Sequence, residues 1–137
     1  MYCAAAPPAE ALREREAWVK RALKKHAKLA LLVVVDKHAT GVLPDAEFRA
    51  VSREQALKYG EFIACSAVVL ETDSVWSGLL RSFLRGLSFV VRATIEVRYF
   101  GSVDDAVPFT LNTSCSPLDP QKLKDALESV RLKPLAT

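Results

Sequence analysis

A chain of 137 residues with a formal net charge of +3 fits one domain and leaves little room for two. Its residues are 50% hydrophobic and 26% charged, a balance that excludes a disordered chain. The charge is too mild to imply nucleic acid by itself. The 3 cysteines, Cys3, Cys65 and Cys115, show no CxxC spacing and imply neither a disulfide framework nor a zinc motif.

Met1 to Pro8 is too short for a signal peptide and has no charged start. It is expected to be a disordered leader to an α/β domain over 9–110, followed by a loop and C-terminal helix over 111–137. Pro7 and Pro8 precede a helical pattern from Ala9 to Ala27, with Leu12, Val19, Ala22 and Leu23 on one face and Trp18 beside it. Glu10, Glu14 and Glu16 stand near its start and Lys20, Arg21, Lys24, Lys25 and Lys28 at or beyond its end. Acid first and base last suits the helix dipole; an anionic partner is the other reading of the basic cluster.

Leu29 to Val35 is a continuous apolar run rich in β-branched residues, the pattern of a strand covered on both faces of a parallel sheet. Asp36 to Leu43 is polar and reads as a loop. Pro44 and Asp45 open a second helix to about Tyr59, with Gly60 where a C-terminal cap belongs. Phe62 to Leu70 is a second buried strand. A third helix is expected from about Ser74 to Arg92, with Ser74, Gly78, Arg81, Arg85, Ser88 and Arg92 as its polar stripe and an apolar surface too wide for one sheet face. Arg81 and Arg85 interrupt the apolar stretch Val75 to Val91, making it a poor membrane span.

In Thr94 to Phe100, Ile95, Val97 and Tyr99 alternate with Glu96 and Arg98, which marks an edge strand or one only half covered. Ser102 and Asp105 resemble a capping box for a short helix that Pro108 ends, with a loop from Leu111 to Pro117. Asp119 and Pro120 start a last helix, whose stripe is Leu123, Ala126, Leu127 and Val130. Alternating helices and strands predict a small parallel sheet of at least three strands with right-handed crossovers.

Leu32 to Val35 before a loop and helix, Ala67 to Glu71 before a long helix, and the run Val97 to Ala106 together resemble the STAS family, the fold of the bacterial anti-sigma-factor antagonists. The resemblance covers about two thirds of the chain, Leu31 to Val107, and points to the family's divergent, uncharacterised branch. It implies a regulatory protein that binds another protein and carries a phosphorylatable hydroxyl at a helix start. Ser74, after Asp73, and Thr40 are the candidate phosphoacceptors. Two departures stand out: Met1 to Pro8 is not expected to supply the family's leading strand pair, and Val75 and Trp76 replace the usual Ser-Gly.

Ligands of open parallel sheets bind beyond the carboxyl ends of the strands. That rule collects Asp36, Lys37, His38 and Thr40, then Glu71, Thr72, Asp73 and Ser74, then Gly101 and Ser102. Asp36, Lys37, His38 and Asp73 form the candidate binding loop. As helix caps, Asp73, Ser74 and Ser102 need no further role. Two histidines with scattered acids show no metal site, and no Gly-rich phosphate loop or dinucleotide fingerprint occurs, so no cofactor is expected. Cys65 reads as a core thiol and Cys115 as a loop thiol.

The expected function is non-catalytic: a cytoplasmic regulatory or scaffolding protein with a protein partner, nucleic acid not being expected. The alternatives are a small enzyme using Asp36, His38 and Asp73, and a carrier of a small apolar ligand. Self-association is expected either as a homodimer through the third helix or a sheet edge, or not at all if the last helix folds back over the apolar surface.

Overall fold

The computed structural model describes residues 2–3, 9–36, 45–71 and 95–131, together with Gly78, Arg81, Ser82 and Arg85. Its elements are β1 (Tyr2–Cys3), α1 (Ala9–Leu23), β2 (Leu29–Val35), α2 (Ala46–Tyr59), β3 (Ile63–Leu70), β4 (Glu96–Phe100), α3 (Val103–Thr113) and α4 (Pro120–Arg131). The fold is α/β. A four-stranded sheet has the order β1-β2-β3-β4 and every pairing is parallel. Val33 faces Val68 and Val68 faces Tyr99, so the two β-branched runs are the central strands.

The leader is not wholly outside the fold. Tyr2 and Cys3 pair with Val34 and Val35 and form one edge of the sheet. Two residues carry no readable period, so only the neighbouring strand reveals them. At the other edge, the alternation in β4 appears as exposed Glu96 and Arg98 between half-buried Val97 and Tyr99.

A sequential parallel order crossed right-handedly each time carries its connections on one face. The helices after β4 are then left to cover the other. Val34, Ala67 and Val69 on that face pack with Phe100 of β4, with Val103, Ala106 and Phe109 of α3 and with Leu127 of α4. The opposite face gathers Val35, Val68 and Leu70 with Val33, Val97 and Tyr99. Cys65 and Val69 are fully buried.

α1 and α2 pack together through polar bonds as well as apolar burial. Leu12 and Phe48 are buried. Buried Gln55 donates from Nε2 to the Leu12 carbonyl at 2.7 Å and accepts from Arg15 at 2.8 Å. Glu16 accepts from Tyr59 Oη at 2.6 Å and Lys58 Nζ at 2.9 Å, and lies 3.3 Å from Lys20. These three partners hold the Glu16 carboxyl well below its ordinary value, at about 2, the Tyr59 bond contributing most.

Asp45 caps α2, its carboxylate accepting from the Phe48 N–H at 2.7 Å. Gly60 closes that helix without the left-handed turn its identity suggests: its φ is −55° and the chain continues as a 3-10 turn over Gly60–Phe62. Ser102 caps α3, its hydroxyl donating to the Asp105 carboxylate at 2.9 Å and accepting from its N–H. Pro108 does not end α3, which runs on to Thr113, so the expected boundary between Thr110 and Leu111 falls inside a helix. Asp104 and Pro108 are both exposed, where water serves the carbonyl that proline leaves without a donor. Ala106, Val107, Thr110 and Leu111 are buried and hold the helix through. Asp119 caps α4, accepting from the Gln121 N–H at 3.2 Å.

Gly78, Arg81, Ser82 and Arg85 are helical and exposed, and Gly78, Arg81 and Arg85 belong to the expected polar stripe of the third helix. The apolar surface expected there lies outside the described residues. Among the described residues, no helix is long and apolar enough to cross a membrane.

Candidate functional site

The parallel order brings the carboxyl ends of β2, β3 and β4 to one edge. Asp36 follows β2, Glu71 follows β3, and Gly101 and Ser102 follow β4. The Glu71 N–H donates to the Val35 carbonyl at 3.1 Å, which ties the first two ends together. α3 leaves from Ser102, and α4 returns across the edge. Between them lies an open cleft of about 460 Å³, lined among others by Asp36, Glu71, Ser102, Lys124, Leu127 and Arg131.

Charge in the cleft is arranged in pairs. Arg131 of α4 binds Glu71, and Lys124 of α4 lies 2.6 Å from the Asp104 carboxylate of α3. Asp36 is 7% exposed, the most buried acid of the edge among the described residues. Among the described residues no three metal-ligating side chains converge.

α4 forms the outer wall, and it is held loosely. None of its residues is buried. Leu127 reaches the sheet, while Ala126 is exposed and Val130 is 51% exposed. Leu118, just before the helix, is 45% exposed. The apolar stripe read from the sequence therefore docks along one side only. The preceding turn contains Cys115 at φ 51°, a left-handed non-glycine residue that redirects the chain from α3 towards α4.

No family model, curated protein or solved structure matches this chain.

Of the expected site residues, the structure places Asp36, Glu71, Gly101 and Ser102 at one edge, as the strand-end rule requires. Lys37, His38, Thr40, Asp73 and Ser74 lie outside the described residues, and so does any convergence of His38 with Asp73. Ser102 is a helix cap. Asp104, Lys124, Glu128 and Arg131 were missed by sequence reasoning. Arg131 stands 60 residues from Glu71, and no local spacing signals that pair. Only the i, i+3, i+4, i+7 stripe of the last helix, which had to dock somewhere, pointed to a wall at all.

Of the thiols, Cys65 is buried and burial pushes its pKa up, whereas Cys115 is exposed. The Tyr99 hydroxyl is buried without a hydrogen-bond partner among the described residues. Burial raises its pKa against the lowering influence of Arg85 and Arg81.

Proposed function

We propose that this chain is a cytoplasmic, non-catalytic regulatory or scaffolding module that binds another protein, with α4 and the adjoining cleft edge as its docking face. The half-docked amphipathic helix carries the reading: Ala126, Val130 and Leu118 keep apolar surface outward beside the half-covered Leu123 and Leu127. The ion pairs Arg131–Glu71 and Lys124–Asp104 line the cleft along one side of this strip and suit a polar rim beside an apolar centre. The partner is a different protein or a second copy of the chain. The resemblance of Leu31 to Val107 to STAS domains supports the same class and would add a switch by phosphorylation at Ser74 or Thr40.

Co-purification from the native cell tests the proposal when done with the parent chain and with the double variant Ala126→Asp, Val130→Asp. Both positions are exposed, so the variant is expected to fold. A partner, or self-association by light scattering, present in the parent and lost in the variant supports the docking face. Retention by both, or by neither, overturns it. The cleft favours one second reading, a small polar ligand held near Asp36 and the two cations. Isothermal titration with a small-metabolite panel, giving binding that Lys124→Ala abolishes, would establish it instead.

A further inference from the structure

The edge opposite the cleft carries a different surface. α1 ends at Leu23, and Lys24, Lys25, His26 and Lys28 follow before β2, all exposed. With Lys20 and Arg21 they make a run from Trp18 to Lys28 without a single acidic residue. Among the described residues only Lys20 of this set is in an ion pair, with Glu16. Leu29 and Ile63 are register partners, so Lys28 and Phe62, the residues before them, both lie at the amino ends of β2 and β3. Phe62 is 37% exposed, and Leu57 near the end of α2 is exposed as well.

Trp18 is 67% exposed, with the Arg21 guanidinium 4.2 Å from its ring centroid. It lies five residues before the end of α1, roughly 7–8 Å from this edge. An exposed indole among lysines loses apolar surface to water, and nothing in the helix dipole accounts for it. Among the described residues, the exposed acids at this end are Glu61, in the turn before β3, and Glu96, which pairs with Arg98 at the start of β4, and the cluster's cations outnumber them. At the far edge, Glu71 and Asp104 are paired with Arg131 and Lys124.

We propose that this basic edge is a peripheral docking face for an anionic lipid bilayer surface. Lysine outnumbers arginine in the cluster by four to one. Ammonium groups on flexible stems serve a diffuse field of lipid headgroups, whereas phosphate recognition in nucleic acids favours the arginine fork. Arg21 is already stacked on Trp18, which covers one face of the ring that a nucleobase would use. Trp18, Leu57 and Phe62 are the side-chain types that settle at the headgroup level while neighbouring lysines keep their charges in water. The face is separate from α4, so Ala126→Asp with Val130→Asp leaves it intact.

The test is co-sedimentation of the full chain with phosphatidylcholine vesicles containing about 30% phosphatidylserine, at about 50 mM salt. Binding is expected there, none to pure phosphatidylcholine, and release at about 500 mM salt. The triple variant Lys24→Gln, Lys25→Gln, Lys28→Gln should lower the partition coefficient roughly a hundredfold, about fivefold for each lysine. These side chains are exposed, and circular dichroism checks that the fold is unchanged. Trp18→Phe should weaken binding less than the triple variant does. Sedimentation no greater than with neutral vesicles overturns the proposal, and so does binding insensitive to the triple variant. Binding to a single-stranded oligonucleotide or to polyglutamate without binding to vesicles overturns it in favour of that partner.

Discussion

Truncating Leu127 to alanine should loosen α4 without unfolding the sheet. Leu127 is the α4 residue that joins the buried cluster of Val34, Ala67, Val69 and Ala106. A fully buried leucine loses about 2–5 kcal/mol on truncation, and the range reflects how well the site collapses. Leu127 is half-buried and borders an open cleft, so about 1–2 kcal/mol is expected. The partly exposed pairs Arg131–Glu71 and Lys124–Asp104 add at most about 1 kcal/mol each and weaken with salt. Opening of α4 alone should thus become about 5- to 30-fold more frequent, since 1.4 kcal/mol is a factor of ten. Native-state hydrogen exchange reads this directly. Amides of Leu123 to Arg131 should exchange faster by that factor, and those of Ala67 to Leu70 should not change. Equal acceleration in both segments would show that α4 belongs to the cooperative core, and the docking-face proposal would lose its physical basis. No acceleration would show that Leu127 does not hold the helix.

Ser102→Ala removes the cap of α3 and should lower stability by about 1 kcal/mol, seen as a shifted urea midpoint with unchanged slope. Tyr99→Phe removes a buried hydroxyl without a partner among the described residues and should leave stability equal or raise it by up to about 1 kcal/mol in the same assay; a clear loss would reveal a partner for that group. The Glu16 carboxyl is lowered from 4.5 to about 2, so its stabilising contribution is complete above pH 4.5 and fades as pH falls towards 2. Acid titration of Glu16→Gln should therefore show a shallower loss of stability across that window than the parent. In a Cys3→Ser background, Ellman's reagent should label exposed Cys115 quickly and buried Cys65 only on unfolding. Val69→Asp places a charge in a fully buried strand position and should abolish cooperative melting; a soluble variant with a sharp transition would contradict a central β3.

Local signals were legible where they act within a few residues. The β-branched runs at Leu29 to Val35 and Ile63 to Leu70 identify themselves as central strands, because only strands covered on both faces tolerate continuous apolar sequence. Asp45, Ser102 and Asp119 announce helix starts because a short side-chain acceptor satisfies N–H groups within the same turn. Alternation in β4 marks an edge for the same local reason.

What the tertiary structure decided depends on partners far along the chain. Tyr2 and Cys3 become a strand only because β2 offers them an open edge. Pro108 stays inside α3 because the helix face beyond it is buried on the sheet, and that packing outweighs a missing donor on an exposed turn. Gly60 adopts no left-handed turn, since the chain tightens into a 3-10 turn to reach β3. The ion pair between Arg131 and Glu71 and the half-docked α4 follow from where the last helix crosses the strand ends. A helical stripe determines that a helix must dock; the area left uncovered is set by the surface it meets.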